Sequence, residues 1–107
     1  MRVLNQAIWE DEELIGLHTS PVYDVGRCYA GAIQVTWGMS ANGGELKLQA
    51  SLDKVNWTDV PNTSCPVTAM ADSVLWNIGE VHFPWIRIYL DSYSSVIYTA
   101  RIFMKGG

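Results

Sequence analysis

The plainest pattern in the chain is the alternation from Glu45 to Leu52. Leu46, Leu48, Ala50 and Leu52 fall on one face, and Lys47, Gln49 and Ser51 on the other. Period-two alternation of this kind predicts a half-buried antiparallel strand. The same period recurs at Trp85 to Leu90, with Ile86, Ile88 and Leu90 against Trp85, Arg87 and Tyr89. It recurs again at Ser95 to Met104, with Val96, Tyr98, Ala100, Ile102 and Met104 against Ile97, Thr99, Arg101 and Phe103. Between these two, Asp-Ser-Tyr-Ser-Ser at 91–95 reads as a chain reversal.

Cys28 to Gly38 predicts a further strand, with Tyr29, Ile33, Val35 and Trp37 on one face and Ala30, Ala32, Gln34 and Thr36 on the other. Arg2 to Trp9, Leu14 to Leu17, Trp57 to Val60 and Ser73 to Ile78 complete the extended pieces. Asn42-Gly43 in Met39–Gly44 is a short-hairpin signal and predicts a tight connection. Glu10 to Ile15 offers the one helical stretch, but it is short and Gly16 interrupts it. The acids Glu10 to Glu13 therefore read as a solvated loop. Short strands between turn signals predict an all-β fold, a sandwich or a barrel. At 107 residues, one domain spanning 1–107 is expected.

The last strand is apolar on much of both faces. So is the first, through Val3, Leu4, Ile8 and Trp9. A domain this small has one interior, so a strand with two apolar faces points to a second contact, most simply another subunit. The segment 1–13 is the expected place for it. Arg2, Val3, Leu4, Ile8 and Trp9 are its candidate contact residues, joined by Trp85, Arg87 and Tyr89, because Trp, Tyr and Arg dominate interfaces. Of the five tryptophans, Trp37 and Trp76 share apolar faces and are assigned to the core. Trp57 follows a turn and is expected to bring the returning chain back over the sandwich edge.

Charge narrows the function. The formal net charge is −4, and the seven Lys and Arg are scattered. A nucleic-acid partner is excluded on that ground, since phosphate binding needs a basic surface. No apolar run approaches the roughly 18 residues of a membrane-spanning helix. Met1–Trp9 has one basic residue and no small-residue cleavage site, so it is not expected to be a signal peptide. Cys28 and Cys65 lack metal-ligand spacing. Two reduced, buried thiols are the preferred reading, with one bridge compatible with the count.

The residues carry no catalytic constellation. His18 and His82 sit in no nucleophile or metal motif. The carboxylates Asp53, Asp59, Asp72 and Asp91 fall in turns, where such groups bond their own backbone. Gly43-Gly44 lacks the lysine and helix start of a phosphate loop. Asp24 with Asp53 or Asp91 has no calcium-ligand spacing. No catalytic residue, metal or cofactor is assigned, and the chain is not expected to be an enzyme.

Two resemblances bear on the fold and function. "LQASLDKVNWTDV" resembles the strand–turn–strand of discoidin-like and galactose-binding-like sandwiches, whose pattern is Ser-x-Asp-Gly, a short gap, then Trp-x-x-Val. Here Lys54 stands where the pattern has Gly, and the framing cysteines of a discoidin domain are missing, so sugar or lipid binding is not carried over. From Ser20 to Gly107 the chain is similar, in order, to small phage-encoded and prophage-encoded β-sandwich virion proteins. The similarity runs through "SPVYDVGRCYAGAIQVTWG", "GGELKLQASLDKVNWTDV", "SVLWNIGEVHFPWIRIYLDSYSS" and "YTARIFMKGG". The family has Gly/Thr-rich residues where this chain has "SYSSVIY".

The resemblances imply a single antiparallel β-sandwich of about eight strands, of jelly-roll or galactose-binding-like type, and the second of them a structural virion protein, most specifically a capsid decoration or cement protein. Its partners would be copies of itself, as a homo-oligomer such as a trimer, and the major capsid protein. The alternative is a carbohydrate-binding module in host adhesion, or a neck or tail accessory protein. The carbohydrate reading requires two or more exposed aromatics in one plane beside polar groups.

Overall fold

The computed structural model describes residues 2–39, 42–79 and 81–106, with Arg2 through its backbone. It is all-β. The strands are β1 (Arg2–Thr19), β2 (Tyr23–Asp24), β3 (Cys28–Trp37), β4 (Gly44–Ser51), β5 (Thr58–Asp59), β6 (Cys65–Val67), β7 (Asp72–Ile78) and β8 (Trp85–Gly106). They form one antiparallel sheet, ordered β5-β4-β8-β3-β7, with β1 and β2 on β8 and β6 on β4. The sheet curls on itself, so that a sandwich-like core lies between its two halves.

The spine of the sheet is β8. Its even-numbered residues Ile86, Ile88, Leu90, Ser92, Val96, Tyr98, Ala100, Ile102 and Met104 are all buried. The expected reversal at 91–95 is therefore not a reversal. Ile86 and Val96 are an even number of residues apart, so the inward set continues through the serines and the strand bends there without turning back. The bend is a sheet corner. One flank of β8 pairs with β4 from Trp85 to Ser92 and with β3 from Tyr98 to Gly106. Hence β3 and β4 run in line along the same edge of β8 and do not pair with each other. The Asn42-Gly43 connection is a step across the corner and not a hairpin; Ser40 and Ala41 within it lie outside the described residues. Gly44 passes so close to β8 that an added Cβ would sit 2.4 Å from the Asp91 carbonyl oxygen.

The other flank of β8 pairs with β1, and this pairing revises two expectations. First, the acids Glu10 to Glu13 lie within the strand and not in a loop. Second, Ala7 and Trp9 pair with consecutive residues of β8, Arg101 and Ala100, which leaves Ile8 as the extra residue of a β-bulge. A bulge breaks the alternation, so both Ile8 (8% exposed) and Trp9 (5%) turn inward. A second irregularity, between Trp9 and Glu12, contains Asp11 at φ 48°, in the left-handed region that Asp tolerates. Asp11 is held there by Thr99, whose hydroxyl accepts its N–H and donates to its carboxylate.

The core joins Ile33, Val35, Trp37 and Trp76 of one half to Leu46, Leu48 and Val67 of the other, with β8 shared by both. Trp9 meets Tyr98 edge-on, with centroids 6.1 Å apart. Trp37 and Trp76 are core, as their periodicity predicts. Tyr29 is exposed, contrary to its assigned face, because a register shift between Cys28 and Ala30 turns it outward. Leu52 is also exposed, since β4 ends at Ser51 and Leu52 already belongs to the following turn. Cys28 and Cys65 are both free thiols; Cys28 is buried as expected, but Cys65 is only half-buried, because its short strand β6 pairs with β4 alone.

Candidate functional site

The outer face of the β4–β8 half carries the densest polar and aromatic cluster. The register sets Glu45 beside Asp91, Lys47 beside Tyr89, Gln49 beside Arg87 and Ser51 beside Trp85. These odd positions are the polar face of each alternating strand, so the pleat places them in one plane. The turn after β4 then folds back over them.

Ser51 and Asp53 build that turn. The Ser51 hydroxyl accepts the N–H groups of Asp53 and Lys54 at 3.1 and 2.9 Å and donates to the Asp53 carboxylate at 2.9 Å. The same carboxylate oxygen accepts the N–H groups of Val55 and Asn56, at 2.9 and 2.8 Å. Its second oxygen takes the Asn56 side-chain amide at 2.9 Å. These donors, the Asn56 backbone first, hold the Asp53 carboxyl well below the usual carboxylate range. Lys54 adopts φ 65°. That left-handed conformation explains why the resembling pattern has Gly at this position.

The β4–β8 register and the turn together place three cations over three rings. Lys54 Nζ lies 3.9 Å from the Trp85 centroid, Arg87 Cζ lies 4.2 Å from that of Trp57, and Lys47 Nζ lies 4.7 Å from that of Tyr89. Hydrogen bonds link the Arg87 and Lys47 pairs. Arg87 Nε donates to Gln49 at 2.9 Å, the Gln49 amide donates to Asp59 at 3.1 Å, and Lys47 donates to the other Asp59 oxygen at 2.9 Å. Lys47 and Gln49 lower the Asp59 carboxyl, Lys47 first, and Asp59 in turn raises the Lys47 ammonium. Asp59 itself is fixed by the pairing of β5 with β4 at Gln49. Each cation–ring pair contributes about 0.5–1 kcal/mol at exposed sites. The face is thus a preordered surface, and Leu52 (75% exposed) and Val55 (77%) project from its turn. Under the same turn, Ala50, Asn56, Thr58, His82 and Phe83 line a depression of about 440 Å³.

The eight candidate contact residues do not form one patch. Trp85, Arg87 and Tyr89 lie together on this outer face, half-buried. Val3 is exposed and Leu4 half-buried at the far end of β1, while Arg2 is placed only by its backbone pairing with Gly106. Ile8 and Trp9 are in the chain's own core, so they offer no outward surface. Trp57 is half-buried, with one ring face covered by Arg87. The partners that the sequence reading missed are Lys47, Gln49, Lys54 and Asp59. The alternation of β4 did put Lys47 and Gln49 outward, but which β8 side chains they meet depends on a long-range register that no local pattern encodes.

Among the described residues, no group of three or more His, Cys, Asp and Glu side chains is arranged to hold a metal ion. His18 Nε2 lies 2.8 Å from the Ile15 carbonyl oxygen.

No family model and no curated protein matches the chain. Its fold is similar to that of the SPBc2 prophage-derived protein YomS, known from a crystal structure. The likeness covers 98% of this chain and 96% of that one, with a TM-score of 0.65 and 12% sequence identity. At that identity the similarity is one of fold.

Proposed function

We propose that this chain is a structural component of a bacteriophage particle, and more specifically a decoration or cement protein on the capsid. The observation that carries the reading is the fold likeness along nearly the whole chain to a prophage-derived protein. The order of motifs in the sequence independently resembles phage virion proteins. The surface supports it too. Val3, Ile15, Leu17, Ile97 and Phe103 are all substantially exposed, and large exposed apolar side chains suit repeated contacts with other subunits. In this role the chain works by adhesion. Many copies each add a moderate contact, and the symmetric array makes the sum large. The major capsid protein and further copies of the chain are the partners.

Deletion of the coding sequence from the producing phage tests this reading. Particles should still assemble but lose resistance to heat and osmotic shock, and purified chain added back should restore it. Mutant particles as robust as the parent would refute the cement role.

The carbohydrate-binding alternative is weaker. Trp57 and Trp85 do lie on one outer face beside Gln49 and Asp59, but each ring has a face covered by a cation of the same chain. A stacked sugar would have to use the opposite face or displace that cation.

A further inference from the structure

The three cations on the outer face of the β4–β8 half differ in what neutralises them. Lys47 forms ion pairs with Glu45 at 3.6 Å and with Asp59 at 2.9 Å. Among the described residues, neither Lys54 nor Arg87 has a carboxylate within ion-pair distance. The nearby acids are engaged elsewhere, Asp59 by Lys47 and Gln49, and Asp53 by the donors of its own turn. Burial lowers the Arg87 guanidinium from its ordinary pKa, and no carboxylate raises it again. Arg87 is nonetheless held in place. Its Nε donates to Gln49 and its guanidinium lies over Trp57, which leaves the two terminal nitrogens without a partner among the described residues. A fork fixed in that way matches a carboxylate and loses little freedom in binding one. Lys54 sits over Trp85, two positions from Arg87 on the same face of β8, a step of about 7 Å along the strand. From the same turn, Leu52 and Val55 project as exposed aliphatic side chains.

We infer that this face docks an acidic segment of a partner protein, with an Asp or Glu side chain on the Arg87 fork and apolar neighbours over Leu52 and Val55. The charge of the site chooses an anion, although the chain as a whole carries −4. The aliphatic pair chooses a polypeptide. A free inorganic anion or an acidic sugar would leave Leu52 and Val55 bare, and a sugar would find one face of each tryptophan already covered. Neither cation lines the depression under the turn, so the ligand meets them on an open face, as a protruding side chain does. Trp57, Trp85, Arg87 and Tyr89 are also the residue types that concentrate binding energy at protein interfaces. The inference stands on the geometry of this face and does not require the virion reading.

NMR titration of the isotope-labelled full-length chain tests the site, with a blocked peptide in which Glu alternates with Leu as the probe. The peptide should move the signals of Lys54, Val55, Trp57 and the Arg87 Nε–H, and saturate in the millimolar range or below. The same peptide with Gln for Glu should bind at least about tenfold more weakly, the loss expected of one charge-assisted contact. Arg87→Lys keeps the charge but not the fork, and should weaken binding of the Glu peptide by a similar factor. Lys54→Gln alters only an exposed side chain of the turn and should weaken binding as well, so the test survives a folding defect at Arg87. Added salt should lower the affinity. An oligomer of glucuronic acid, which carries its carboxylates on sugar, should bind more weakly than the peptide. Absence of a saturable shift, equal affinity for the Glu and Gln peptides, or binding indifferent to both variants would overturn the inference. Tighter binding of the glucuronate oligomer would overturn it too, and would assign the face to an acidic glycan.

Discussion

The Tyr98 hydroxyl donates a hydrogen bond to Ser92 Oγ at 2.8 Å, and both residues lie on the same strand, six positions apart. The direction follows from the Ser92 proton, which is already given to the Ser94 carbonyl at 2.7 Å. Six residues of extended chain span about 20 Å, more than these two side chains can bridge. The bond therefore marks the corner at which β8 folds the sheet on itself. Pairing with β1 shows the same corner: two steps from Leu14 to Gly16 are matched by four from Val96 to Ser92.

Both hydroxyls are buried, so removing them one at a time should give unequal effects. Ser92→Ala strands the Tyr98 hydroxyl and should cost about 1–3 kcal/mol, the cost of a buried unsatisfied group. Tyr98→Phe leaves Ser92 bonded to Ser94 and should cost about 1 kcal/mol. The double variant should cost less than the sum of the two. Urea unfolding of the three variants measures this.

Lys54 separates two effects at one position. Its φ of 65° disfavours any residue with a Cβ, by roughly 1–2 kcal/mol. Its ammonium over Trp85 returns about 0.5–1 kcal/mol. Lys54→Ala keeps the strain and loses the contact, whereas Lys54→Gly loses both. The Gly variant should be the more stable of the two by about 1 kcal/mol, as read from their unfolding midpoints.

The Asp53 carboxyl is held below its ordinary value, so it binds protons less readily in the folded chain than in the unfolded one. Its contribution is complete above the unfolded carboxylate pKa of about 4 and falls away as pH drops through that value toward the folded one. Asp59 acts in the same sense. Stability should decline between about pH 5 and pH 2. Asp53→Asn should lower stability at pH 7 and flatten that decline. Urea midpoints at pH 7 and pH 3 give the comparison. An equally steep decline in the variant would show that the turn is not the acid-sensitive element.

Arg87 and Trp57 should be coupled. A double-mutant cycle with Arg87→Ala and Trp57→Ala should return an interaction of about 0.5–1 kcal/mol. A value near zero would mean that the ring and guanidinium merely lie close, and that the turn is held by Ser51 and Asp53 alone.

Side-chain direction was legible in the sequence wherever strands ran without interruption. The faces of Leu46 and Leu48, of Ile33 to Trp37, and of β8 on both sides of its corner follow from period two. What failed did so at irregularities. Ile8 and Trp9 are neighbours, so alternation could bury only one of them, and the bulge that buries both has no local signature. Serines 92, 94 and 95 favour a departure from extended chain, which serves a reversal and a corner equally well. The even spacing of Ile86 and Val96 distinguishes the two once it is noticed. The cation–ring pairs of the outer face were out of reach, because the register of β4 on β8 is set by contacts about forty residues apart in sequence.

Mass spectrometry of purified, infectious phage particles, with copy number, tests the functional assignment most directly. A decoration role predicts peptides of this chain on the order of hundreds of copies per particle, as a symmetric shell requires. About a dozen copies or fewer would move the protein to a vertex, neck or tail. Its absence from particles of a phage that expresses it would contradict the virion assignment.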